Sequence, residues 1–180
     1  MAAAYLALAY IVWLQSYYAF QREAQAVASL TAGYVASQVA DLMSSSFTPG
    51  VLQMSYKLFL PTQFPDFDAY SYSIALINNS TREGAVSLYV VVNITAYRGT
   101  FTATLAKISA FAYYYNASFT GVRVYATNYD KAIGGSPCVV PSPAVKGAPA
   151  VNLTRPGCGV LWIAPTPNNY KLLTTMRASS

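Results

Sequence analysis

The stretch MAAAYLALAYIVWLQSYYAF, Met1 to Phe20, carries no ionised side chain, and a helical pattern continues through QREAQAVASLTAGYVASQVADLMSSS to Ser46. Arg22 is the first charge, and no clear helix breaker occurs before Phe47-Thr48-Pro49-Gly50. A helix from Ala2 to Ser46 would be roughly 65 Å long at about 1.5 Å per residue. That is about twice the hydrocarbon thickness of a bilayer. A plain membrane anchor does not need the second half.

The two halves differ in kind. Ala2, Ala3, Ala4, Tyr5, Leu6, Leu8, Tyr10, Ile11, Val12, Trp13 and Leu14 are apolar nearly all round the helix, so this part must be buried on every side, in lipid or among other helices. The alanines favour the helix and let neighbours approach closely. Gln15 and Ser16 interrupt the run and make it a marginal membrane span. From Arg22 onward, steps of 100° place Val27, Leu30, Tyr34, Val35, Val39 and Leu42 on one broad face and Ser29, Gly33, Ser37 and Asp41 on another. The first face is expected to lie on a domain of the same chain, and the second to meet neighbouring copies or water.

After Gly50 the period switches to two. Strands are expected over Leu52–Leu60, Tyr70–Leu76, Ala85–Tyr97, Thr100–Leu105, Ile108–Tyr115, Phe119–Thr127, Val160–Ala164 and Tyr170–Thr175, separated by Pro, Gly and Asn turn chemistry. Ala132–Pro156 reads as a long Pro/Gly-rich loop. The expected fold class is α+β: a helix over 1–46, then an antiparallel β-sandwich-like domain over 50–180 with its long loop at about 132–156.

Composition narrows the function. The chain has 180 residues, of which 54% are hydrophobic and only 9% charged, against the roughly 25% charged of ordinary soluble domains. Tyrosine (16 copies), burial in an assembly and attached sugar are the available sources of solubility. The net charge of +5 is scattered and forms no cluster, so nucleic acid is not an expected partner. With no His and six carboxylates, two of them in the helix, the usual general bases and metal ligands are missing. Asp66 and Asp68, flanking Phe67, read as a solvated turn before a weak cation site. No enzyme activity, cofactor or metal is expected.

Cys138 and Cys158 lie in loop-like sequence. They read as a disulfide closing a loop of about twenty residues, worth roughly 3 kcal/mol in the chain-entropy model; the alternative is two buried thiols. Asn-x-Ser/Thr sequons at Asn78, Asn79, Asn93, Asn116 and Asn152 are candidates for glycosylation, with ordinary turn and strand roles as the alternative.

A long helix, apolar then amphipathic, leading without a linker into a β-rich domain resembles the type IV pilin superfamily. The segment Leu60-Pro61 through Asp66 to Tyr70-Ser71-Tyr72-Ser73-Ile74 is similar to a Leu-Pro…Tyr-x-Ile stretch of archaeal pilin-like chains. Bacterial pilins usually carry a glutamate early in the helix; Tyr5 occupies that position here, which favours the archaeal branch of adhesive pilins and archaellins. The resemblance covers residues 1–46, and for the β-domain it is architectural only. It implies a helical homopolymer with a core of bundled helices, an outer shell of β-domains that is often glycosylated, and a short basic leader removed before assembly. Met1 is then either the mature first residue or the start of a trimmed sequence.

The expected function is therefore a structural subunit of an extracellular filament at the cell surface, polymerising through Ala2–Leu14 and inserted in the membrane before assembly, with adhesion to a surface or glycan target as its purpose. The alternative is a membrane-anchored accessory or stator protein with a β-sandwich ectodomain. A third reading is an extracellular module that binds glycan through exposed Tyr and Trp162. A cleaved signal peptide fits poorly, because no basic residue precedes the apolar run.

Overall fold

Uninterrupted helix formers give one helix, α1, spanning Ala2–Ser46, as expected. The computed structural model describes residues 2–82, 86–99, 104–116, 121–164 and 170–177, apart from the side chains of residues 2, 104–108, 111 and 113–116. Parts of three expected strands, at Ala85, Thr100–Ala103 and 119–120, lie outside the described residues. α1 stops where three serines precede Pro49, and Gly50 takes a left-handed φ of +87° that few other residues tolerate. Arg177 covers the helix end by donating to the carbonyls of Phe47 and Thr48 at 3.2 and 3.3 Å.

Among the described residues ten strands follow: β1 (Gln53–Phe59), β2 (Ala69–Asn78), β3 (Val86–Arg98), β4 (Thr104–Asn116), β5 (Val122–Thr127), β6 (Lys131–Ile133), β7 (Val139–Pro141), β8 (Pro149–Asn152), β9 (Gly159–Ala164) and β10 (Tyr170–Arg177). They form two five-stranded sheets, ordered β4-β3-β2-β9-β6 and β1-β10-β5-β8-β7. Every pairing is antiparallel. The fold class is α+β, as the periodicities predict. The expected segments Thr100–Leu105 and Ile108–Tyr115 are, from Thr104 on, a single strand. The expected loop over 132–156 also holds more structure than anticipated: most of β6, a 3-10 turn at Ser136–Cys138, β7 and β8.

The even-numbered residues of β3, from Val86 to Ala96, face inward and are buried, while Tyr89, Asn93 and Tyr97 face outward and are exposed. Both sheets and the second half of α1 contribute to one hydrophobic cluster. α1 contacts β3 and β4 of one sheet and β1 and β10 of the other. It therefore covers the edge strands β4 and β1, where unpaired backbone would invite further pairing. On the opposite side the short edge strands β6 and β7 are joined through the 3-10 turn and a Cys138–Cys158 disulfide. That bond ties the start of β7, in one sheet, to the start of β9 in the other. Both sulfurs belong to buried residues. Gly134 has a φ of +105°, and a Cβ there would lie 2.6 Å from Cys138 Sγ, so a bulkier residue would disturb the bridge.

Cys138→Ser is expected to lower the stability of the β-domain by about 3 kcal/mol, since the bridge closes a loop of about twenty residues. Thermal unfolding under oxidising conditions checks this: a melting curve identical to that of the parent chain would show that the bridge contributes nothing.

Candidate functional site

Small residues decide how α1 meets the sheets. Ala24, Ala28, Ala32, Val35, Val39 and Leu42 are buried, with Thr31 and Met43 beside them. They recur at helical spacing and form one stripe. This corrects the face expected from sequence. Val35, Val39 and Leu42 lie inward, but Leu30 is 73% exposed and Tyr34 is also exposed. Leu30 sits nearly opposite Ala28 on the helix. The alanines let strands approach closely where leucine and tyrosine would hold them off. Ser29, Gly33, Ser37 and Asp41 are exposed, as expected.

The burial stops at Phe20. From Ala3 to Ala19 no described side chain of α1 is buried, and only Leu14 and Tyr17 are half-covered. Tyr5, Leu6, Leu8, Tyr10, Ile11, Val12, Trp13 and Tyr18 are all exposed large hydrophobics. Tyr10, Trp13 and Tyr17 stack along the helix surface, with ring centroids 6.1 and 5.7 Å apart. About eighteen residues thus carry the helix roughly 27 Å past its last buried contact. Ala3, Ala4 and the rest of the expected assembly segment share this uncovered region; the side chain of Ala2 lies outside the description.

A collar grips α1 where it leaves the domain. Phe20 meets Phe67 edge-to-face at 5.7 Å. Phe64 lies 5.8, 4.9 and 5.3 Å from the rings of Phe67, Tyr70 and Tyr72. The Tyr70 hydroxyl donates to the carbonyl of Thr62 and the Tyr72 hydroxyl to that of Pro61. The Leu60–Ile74 segment singled out in the sequence is thus a folded aromatic bracket. Burial, reinforced by neighbouring Tyr70, pushes the Tyr72 phenol well above its usual value. Arg98, at the end of β3, locks the bracket to the helix. Its guanidinium lies 4.9 Å over the Phe20 ring, pairs with Glu23 at 2.6 Å, and donates to the Asp66 carbonyl at 2.6 and 2.9 Å. Nothing in the periodicity pointed to Arg98. Asp68 accepts from the Gly99 amide at 2.8 Å, a turn role.

Beside the collar, Val27, Leu30, Thr31 and Tyr34 of α1 face Pro61 and Phe64 across an open, mainly apolar groove of about 310 Å³.

The remaining sequence candidates scatter. Asn78 is fully buried, its Oδ1 accepting from the Ser80 and Ser87 amides at 3.0 and 3.2 Å; it closes the turn after β2. Asn152 is also buried and accepts from the amide and hydroxyl of Thr154, the Thr of its own sequon. Both therefore do turn work in the folded chain. Asn79 and Asn93 are exposed, and the side chain of Asn116 lies outside the description. Trp162 is fully buried against the expectation that it meets glycan, because β9 lies inside its sheet and turns that residue to the core. The expected transmembrane helix is also corrected: among the described residues, no helix is long and apolar enough to cross a membrane. Gln15-Ser16 end the apolar run, two tyrosines follow, and Arg22 and Glu23 begin the charged part.

Comparison of the chain with protein-family models, curated proteins and solved structures yields no match. The pilin resemblance rests on the helix and the Leu60–Ile74 segment.

Two predictions test the collar. Arg98→Ala removes three partners at once and is expected to cost about 2 kcal/mol, whereas Glu23→Gln removes only a half-exposed ion pair and should cost under about 1 kcal/mol. Urea denaturation of both variants measures the difference; equal losses would reduce the collar to a surface salt bridge. The Tyr72 phenol gives a pH dependence. Its folded value lies above its unfolded one, so both states keep the proton below about pH 10 and only the unfolded chain ionises just above it. Stability is expected to fall as pH rises past about 10, at up to about 1.4 kcal/mol per pH unit from this group. Denaturation midpoints from about pH 9 to about pH 11 should show a shallower fall in Tyr72→Phe; an unchanged slope would rule this group out as its source.

Proposed function

We propose that this chain is a structural subunit of an extracellular, type IV pilus-like filament, built by bundling N-terminal helices and serving adhesion or surface attachment. One observation carries the reading: about two-fifths of α1 is an exposed, uncharged, largely apolar rod continuous with a helix packed on a folded domain. Exposed apolar patches of this size mark interaction surfaces. The eight large hydrophobics expose on the order of 800 Å², about what each partner contributes to a standard stable interface. Identical helices can cover one another, and a heterologous contact repeated by rotation and rise gives an open filament. The β-domain then forms the outer shell. Asn79 and Asn93, both exposed, are its proposed sites of attached sugar. The resemblance to archaeal pilins supports the same reading.

Electron microscopy of sheared surface material from producing cells tests this directly; filaments that contain this chain are the expected result. Ala9→Lys places a charge in the uncovered segment, remote from the sheets. It is expected to abolish filaments while leaving the melting of the β-domain unchanged. An unaltered filament yield would count against a buried helix bundle.

A further inference from the structure

We propose that the outward face of the sheet β1-β10-β5-β8-β7 is a binding surface for an acidic polysaccharide, one that carries carboxylate or sulfate groups on its sugar rings. Charge and aromatic rings within the β-domain point to it, whether or not the chain polymerises.

The fold gathers charges that are scattered along the sequence. Of the eleven Lys and Arg residues, six lie on this sheet or in the loops that flank β8: Lys57, Arg123, Lys146, Arg155, Lys171 and Arg177. None of the six acidic residues lies on these strands or loops. Lys171 is buried and is neutralised by Asp130, in the turn after β5, at 3.1 Å. Elsewhere in the chain five bases face five acids. The whole net side-chain charge of +5 therefore belongs to this one sheet and its loops.

Register puts the cations on one side. Lys57 stands opposite Leu172, and Arg123 opposite Met176. Both are exposed, while their strand neighbours Leu58, Val122 and Val124 turn to the core. Two strands and four residues separate them, which is roughly 16 Å. The loop over 142–148 folds back across the same face: Ser142 Oγ lies 3.0 Å from Thr127 Oγ1, and the Gln53 amide donates to the Pro143 carbonyl at 3.5 Å. That loop carries Lys146, also exposed. Among the described residues Lys57, Arg123 and Lys146 have no carboxylate partner. At roughly 16 Å they hardly repel one another at physiological salt, where screening acts over about 8 Å. The face thus tolerates its charge alone and still draws polyanions at close range.

The rings select the kind of polyanion. Phe59, at the end of β1, is 56% exposed, and its centroid lies 6.3 Å from that of Tyr170 in the paired strand. Lys57 Nζ sits 4.9 Å over the Tyr170 ring. The ammonium is therefore placed beside a flat apolar surface. A sugar ring can lay its apolar C–H face on such a side chain while its acidic group reaches the cation and its hydroxyls stay in water. Duplex DNA is a poorer match: it carries one charge per about 1.7 Å of axis and rewards a denser basic stripe. An anionic bilayer is a poorer match too, since it favours tight clusters of about 4–8 Lys and Arg.

Retention of the full chain on immobilised polygalacturonate and dextran sulfate tests the proposal, with neutral dextran, duplex DNA and phosphatidylglycerol vesicles as comparisons. At least one acidic polymer is expected to retain the chain and release it as salt rises, and dextran is expected to retain none. Lys57→Gln, Arg123→Gln and Lys146→Gln together should weaken that binding by roughly thirtyfold, about threefold per cation. The same loss of charge made elsewhere, by Arg22→Gln, Arg82→Gln and Lys131→Gln together, should weaken it by less than about threefold. Should the first triple variant melt early, Lys57→Gln alone reads the effect at about threefold. Phe59→Ala should weaken binding by roughly fivefold without changing its salt dependence. Equal losses in the two triple variants would overturn this sheet as the site. Unchanged binding in Phe59→Ala, or tighter binding to DNA or vesicles than to either acidic polymer, would overturn a polysaccharide as the partner. Retention by neither acidic polymer would overturn the proposal outright and leave the filament reading standing, because microscopy judges that reading separately.

Discussion

An apolar helix in water must be covered, and in this protein one continuous helix is covered over only about three-fifths of its length. From Phe20 to Ser46 the two sheets do the covering; before Phe20 none of the described residues does. At about 25 cal/mol per Å², on the order of 800 Å² of uncovered surface corresponds to about 20 kcal/mol of gross driving force. Association costs roughly 4–15 kcal/mol before any ordering of side chains. The sign favours burial, which other copies supply in the proposed filament.

The covered half explains why the domain has its shape. A sandwich leaves four sheet edges. α1 takes two of them, at β1 and β4, and the disulfide-closed turn joins the other two, at β6 and β7. The helix stripe that makes this possible is mostly alanine and valine, which contribute little area each but let two sheets come near one helix. Larger residues would cover more surface individually and separate the sheets. Close packing with many small contacts wins over a few large ones here, as in protein interiors generally.

How much of this was legible in the sequence depended on the kind of signal. The bounds of α1 were readable because propensity and the Pro49-Gly50 breaker are local. The longer strands were readable because alternation is local too. β6, β7 and β8 were not, since short strands inside a run rich in Pro and Gly lack a period long enough to see. The buried face of α1 was misplaced for a definite reason: large apolar residues such as Leu30 and Tyr34 weigh heavily in a hydrophobic pattern, but the deciding term was steric and selected Ala24, Ala28 and Ala32. The collar was half-visible. Tyr70 and Tyr72 alternate within one strand, yet their link to the helix runs through Arg98, whose bond to Asp66 spans 32 residues. Sequons were readable as motifs but not as sites, because burial of Asn78 and Asn152 follows from turn geometry that a three-residue pattern does not encode.

The collar also bears on what a partly covered helix can do. If α1 were joined to the sheets by a flexible linker, its uncovered half would sample many directions, and ordering it on assembly would cost entropy each time. Instead the helix runs through Phe20 without a proline and with a single glycine, Gly33, before Gly50. Rings from Phe20, Phe64 and Phe67 interlock at its exit, and Arg98 braces the same turn from another strand. The uncovered rod is therefore fixed in direction relative to the β-domain before any partner arrives. Pre-organisation of that kind lowers the cost of each addition. In the proposed filament it would also mean that the position of one domain dictates the position of the next. In the proposed filament, helical symmetry would then be a property of the collar as much as of the helix-helix contacts themselves.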